Sequence, residues 1–181
     1  MRDQWYIRMM DDTPSDIIVP SDPHFIIGNH MHSHFGLGGY FTLALSVPEQ
    51  VKIVCNNSQW YANRVYCVGS MIQRILSNEI NIDRELLYNE KEESMVSQIE
   101  HAFASGYSVV MLVDAWKEQS PMRALYMAVL KRFPNTRKQV LHIKRPLCAY
   151  TFRFQRYPAV YDIDTVIAYR KEILRETNAS S

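Results

Sequence analysis

The chain has 181 residues, a formal net charge of +1 and three cysteines, and 47% of its residues are hydrophobic. That describes one domain of ordinary size with enough apolar material for a core, and it excludes a strong overall field toward nucleic acid or an anionic membrane, so nucleic acid is not an expected partner. Cys55, Cys67 and Cys148 form no C-x-x-C pair, which argues against a thiolate zinc site or a disulfide framework and for an intracellular, reducing compartment.

In chain order, Met1 to Asp16 lacks the apolar run of a signal peptide. No stretch of about 18 apolar residues follows anywhere, so the expectation is a soluble protein or one in peripheral contact with a membrane. Residues 1–24 read as an extended lead-in, because Pro14, Pro20 and Pro23 oppose helix at themselves and just before. Phe25-Ile26-Ile27 predicts a buried strand, broken by Gly28-Asn29. Leu37 to Ser46 predicts a helix, and Val51 to Cys55 a second strand. Ser58 to Leu76 carries Trp60, Val65, Val68, Met71, Ile72, Ile75 and Leu76 at helical spacing behind a capping serine.

Glu79 to Ile82 predicts a short strand, with Asp83 or Arg84 turning the chain into a helix over Glu85 to Ala104 that Gly106 ends. Ser108 to Val113 is the clearest strand. Pro121 to Phe133 predicts a helix with proline at its start. Gln139 to Ile143 alternates as a strand, Ala149 to Phe154 reads as a strand pairing at a sheet edge, and Asp164 to Glu176 as an amphipathic terminal helix. Strands alternating with helices predict a single α/β domain over residues 25–176, a mostly parallel central sheet flanked by helices, followed by a polar tail at 177–181.

Three places carry chemistry. His30, His32 and His34 alternate after Asn29, with His24 upstream and Gly36, Gly38 and Gly39 downstream. Residues two apart share a face of an extended segment, so this set suits either a metal or, with one histidine acting alone, a general base. In Ile80-Asn81-Ile82-Asp83-Arg84, an arginine at a strand end is placed for an anionic ligand; Asp83 is equally suited to cap a helix. In Val113-Asp114-Ala115-Trp116-Lys117, a carboxylate and a cation follow a strand directly; a solvated turn would look the same. The basic pairs Lys131-Arg132, Arg137-Lys138 and Lys144-Arg145 read as a solvated face. Walker, nucleophile-elbow, zincin and dinucleotide motifs are all lacking.

The order of these features resembles the glycerol-phosphate and lysophospholipid acyltransferase family from about Phe25 to Leu174. Asn29-His30 resembles the opening of that family's H-x4-D motif. Asn81-Ile82-Asp83-Arg84 resembles its Phe-Ile-Asp-Arg motif in three of four positions. Leu112-Val113-Asp114-Ala115-Trp116-Lys117 occupies the place of its Phe-Pro-Glu-Gly-Thr-Arg motif, with Asp for Glu and Lys for Arg. The resemblance implies an acyltransferase-like fold and acyl transfer from acyl-CoA or acyl carrier protein to a lysophospholipid or glycerol-phosphate hydroxyl, with no further cofactor.

It further implies His30 as base, Asp114 in a supporting catalytic role, and Arg84, Lys117, Asn29 and Gly28 around the substrate. One position departs: Phe35 stands where H-x4-D has its aspartate, and no acidic residue lies between His30 and Glu49. A carboxylate from elsewhere, Asp22 or Asp114, or a neighbouring histidine would have to take its place. Two alternatives stand beside the enzyme. One is a degenerate acyltransferase fold, a pseudoenzyme serving as a lipid-binding module, scaffold or subunit of a larger assembly. The other is a metal-dependent hydrolase built on the histidine cluster.

Overall fold

The computed structural model describes residues 8–29, 50–55, 79–83, 85–113, 121–148 and 151–179. The helices expected at Leu37–Ser46 and Ser58–Leu76 lie outside the described residues. Within them the strands are β1 (Arg8–Asp11), β2 (Phe25–Asn29), β3 (Val51–Cys55), β4 (Glu79–Asn81), β5 (Ser108–Val113), β6 (Lys138–Cys148) and β7 (Thr151–Arg156). The helices are α1 (Tyr88–Ala104), α2 (Pro121–Lys131) and α3 (Ile163–Ala179).

The strands form one sheet in the order β1-β7-β6-β2-β5-β3-β4. All neighbours are parallel except β6 and β7, so β1 and β7 run against the other five. The expected α/β architecture with a mostly parallel sheet and flanking helices is therefore present. Central parallel strands are covered on both faces and read as unbroken apolar runs. Phe25 and Ile27 of β2, Val109 and Met111 of β5 and Val140 of β6 enter one core with residues of α1, α2 and α3. Ile26, Val110, Leu112, Leu141 and Ile143 enter a second core on the opposite face. Phe25, Phe103 and Phe133 meet edge to face, with centroids 5.1 to 5.8 Å apart, and tie β2 to the carboxyl ends of α1 and α2.

Helix α1 starts later than Glu85. The backbone N–H of Glu85 donates to Asp83 Oδ1 at 2.9 Å, a local turn before the helix. The N–H of Leu87 donates to the Glu90 carboxylate at 2.8 Å, half of a capping box, which fixes the first turn at Tyr88. The helix ends as expected. Gly106 has φ +80°, and the N–H groups of Gly106 and Tyr107 return to the carbonyls of Phe103 and Ala102, a Schellman closure. Asp162 caps α3 by accepting from the N–H groups of Asp164 and Thr165.

Two expectations change. The strand near Ala149–Phe154 is not at an edge, because β1 lies outside it and pairs Asp11 with Phe154. The lead-in is likewise stitched to the domain. Asp12 N–H donates to the Phe154 carbonyl, Arg156 N–H to Thr13 Oγ1, and buried Gln139 reaches the Ile18 carbonyl at 3.4 Å. Arg8–Asp11 has mixed charge and no alternating pattern, so nothing local announces a strand; the unpaired side of β7 recruits it.

Candidate functional site

Parallel pairing brings the carboxyl ends of β2, β5, β3 and β4 to one rim of the sheet, the usual ligand position in open α/β folds. Asn29, the last residue of β2, is the register partner of Val113, the last residue of β5. Cys55 and Asn81 are similarly paired at the ends of β3 and β4. His30 follows Asn29 and Asp114 follows Val113. His30, His32, His34, Arg84, Asp114, Lys117 and the glycine run at 36–39 lie outside the described residues.

Of the sequence-derived site residues, Gly28 and Asn29 are described. Gly28 is buried between Leu112 of β5 and Leu141 of β6. The Asn29 side chain faces β6: Nδ2 donates to the Ile143 carbonyl at 2.9 Å, and Oδ1 accepts from the Ile143 N–H at 2.7 Å. The amide thereby substitutes for a strand backbone where β2 ends, and it fixes the end of that strand. One Nδ2 hydrogen and one Oδ1 lone pair remain for other partners.

Asp22 lies at the end of β2 opposite Asn29. It precedes β2 at the amino end and pairs with Arg137 at 2.8 Å. Five residues of strand separate the two ends, roughly 17 Å at the usual rise. His24 is also at the amino end, fully buried, with Nδ1 donating to the Asp22 carbonyl at 2.9 Å and lying 3.3 Å from Ser108 Oγ. It is a core histidine at the end of β2 opposite Asn29.

Of the basic pairs, Lys131 and Arg132 are exposed as expected, whereas Lys138 is not. Lys138 is fully buried, and its ammonium donates to the carbonyls of Phe133, Thr136 and Tyr161 at 2.8 to 2.9 Å. All three donors are used, and two of the carbonyls belong to the turn after α2, where positive charge is favoured. Burial holds the Lys138 pKa below its ordinary value, with nearby Asp162 opposing.

A group that sequence reasoning missed lies where α3 crosses β6. His142 is two residues beyond Val140 on the face that the helices cover. Burial, then Arg170 and Lys144, push the His142 pKa down to about 4. Arg170 of α3 is 2% exposed; burial lowers its pKa to about 10, against the Tyr157 phenol, so it is charged at neutral pH. Lys144 and Arg153 are in register on β6 and β7, and Asp12 pairs with them at 3.2 and 2.8 Å. Arg153 foremost holds the Asp12 carboxyl below its ordinary pKa. The signal available in sequence was a charged residue, Arg170, in line with the buried Val166 and Ile173 of α3.

Among the described residues, no group of three or more His, Cys, Asp and Glu side chains is placed to hold a metal, and no helix is long and apolar enough to cross a membrane. No protein-family model, curated protein or solved structure matches this chain.

Proposed function

We propose that this chain has the chemistry of the glycerol-phosphate and lysophospholipid acyltransferases, with His30 as general base and Asp114 in the role that the H-x4-D aspartate has in that family. One observation supports it above the others: Asn29 and Val113 are register partners at the carboxyl rim, and His30 and Asp114 are the residues that follow them. Phe35 removes the motif's own carboxylate; the next strand over supplies another with the same formal charge.

In this reading His30 takes the proton of the acceptor hydroxyl, and the oxygen attacks the thioester carbonyl carbon. The C–S bond then breaks, and the thiolate takes up the proton from the imidazolium. The carboxylate keeps the imidazole oriented and stabilises its charged form. Arg84 and Lys117 hold the acceptor phosphate. Asn29 acts through the strand: its two bonds to Ile143 fix the end of β2.

The second reading, a non-catalytic fold of the same descent, is favoured by Phe35 and by Val113 and Ala115 in place of the third motif's proline and glycine. Thiol release from acyl-CoA and acyl carrier protein, with lysophospholipid and glycerol-phosphate acceptors, separates the two. Acceptor-dependent release that disappears in His30→Ala supports the enzyme. No release by the unsubstituted protein with any pair of substrates overturns it in favour of the second reading.

A further inference from the structure

We propose that the junction of α3 with β6 and β7 is a binding site for a phosphate-type dianion, held by Arg170, Lys144 and Arg153 with His142 as a fourth donor. The site is separate from acyl transfer and can bind whether or not the chain is catalytic.

Three observations carry it. The first is unmet hydrogen bonding. Arg170 is nine-tenths buried and more, and its Nε and Nη1 find no acceptor among the described residues; Nδ1 of His142 likewise has no partner among them. Buried polar atoms are almost always satisfied, and a group of them left open points to a missing water or ion. The second is charge. Among the described residues, Asp12 is the carboxylate that pairs with Lys144 and Arg153, and no carboxylate pairs with Arg170; one dianion balances the remaining charge. An unpaired buried guanidinium is otherwise costly.

The third observation is access. The side chains grade outward from buried Arg170, through half-buried His142, to Lys144 and Arg153, which retain 32% and 37% of their side-chain exposure. Lys144 and Arg153 are thus the members of the set that solvent reaches. Asp12 holds the two outer cations in place, and a guanidinium fork is the donor geometry that phosphate oxygens match best.

Gly28 pairs with Leu141, so His142 lies one residue along β6 as Asn29 does along β2. The site thus borders the carboxyl rim of the sheet. A free phosphate monoester and a lipid phosphate headgroup offer the same dianion, and the two sources differ in how they are presented.

The test uses the full chain. Inorganic phosphate is titrated against sodium chloride of matched ionic strength while the thermal midpoint and the His142 imidazole resonances are followed. The expected result is a saturable rise in midpoint with phosphate alone, together with an upward move of the His142 titration as the dianion favours the imidazolium. Arg170→Met weakens phosphate binding at least tenfold, and Lys144→Met and Arg153→Met weaken it less. Phosphate that acts no differently from chloride overturns the site. So does undiminished binding in Arg170→Met or, should that variant not fold, in both Lys144→Met and Arg153→Met. Vesicles of phosphatidylcholine with and without phosphatidic acid identify the source. Retention only by the phosphatidic acid vesicles, lost in Lys144→Met, marks a headgroup; phosphate binding without retention marks a free ester.

Discussion

Asn29 and Ile143 are joined by two hydrogen bonds between one side chain and one residue of backbone, 2.7 and 2.9 Å long. They lie 114 positions apart in sequence, and the pair closes the sheet at the point where β2 ends. An asparagine that reads as part of a catalytic motif is therefore also a structural part of the sheet. Asn29→Ala leaves the N–H and C=O of Ile143 without these partners in a half-buried place. The expected loss is about 1–3 kcal/mol, read as a lower urea midpoint at unchanged slope. Asn29→Asp keeps the acceptor but loses the donor and sets a carboxylate against the Ile143 carbonyl, so it destabilises as well.

Lys138 supports a second prediction. Its ammonium is the shared donor for three carbonyls. Lys138→Met fills similar volume and leaves all three acceptors unmatched, at a cost on the order of 3 kcal/mol. Thermal or urea unfolding measures it; a midpoint within error of the unsubstituted protein would show that water replaces the ammonium freely.

His142 predicts an acid dependence. Its folded pKa, about 4, is depressed below the unfolded value near 6.5, so the unfolded chain takes up the proton first. The contribution is complete above the unfolded value and is lost as pH falls from about 6.5 toward 4. The side chain is half-buried and solvent-screened, so about 1–2 kcal/mol is expected rather than the full value of the shift. The groups that set the shift come from β6 itself, as Lys144, and from α3, as Arg170. In phosphate-free buffer, the difference in unfolding free energy between His142→Gln and the unsubstituted protein should change across that window and nowhere else.

Gly106 isolates a backbone term. A Cβ there would meet nothing within 4 Å, but φ is +80°. Gly106→Ala should cost about 1 kcal/mol from the left-handed conformation alone, with the Schellman closure of α1 retained. A much larger loss would mean that the helix end has rearranged.

The parts of the fold that local chemistry dictates were legible. Phe25-Ile26-Ile27 and Val109 to Leu112 are apolar on both faces because the parallel strands they form are covered on both faces. Gly106 ended α1 where the turn needs a positive φ. The parts that depend on distant partners were not. Arg8–Asp11 becomes a strand only because β7 offers an unpaired side, and residues that look like a detached lead-in are held by Gln139, Phe154 and Arg156.

The site divides in the same way. That a histidine and a carboxylate each follow a strand is visible in the sequence; that the two strands are adjacent and end in register is not. Lys138 reads as a surface charge because charge patterning reports composition, and Arg170 shows in the sequence only as a charge in line with Val166 and Ile173. Burial of either depends on three carbonyls or a helix crossing that only the folded chain assembles. Nor does the sequence show that Asp22, paired with Arg137, stands at the end of β2 opposite Asn29.

The claim that Asp114 stands in for the missing motif aspartate is tested most directly by a double-substitution cycle on acceptor-dependent thiol release. The account predicts that His30→Ala and Asp114→Asn each reduce kcat by at least about 10³ with little change in KM, and that the double variant is no worse than His30→Ala alone. Full activity in Asp114→Asn, or losses that multiply in the double variant, would contradict it.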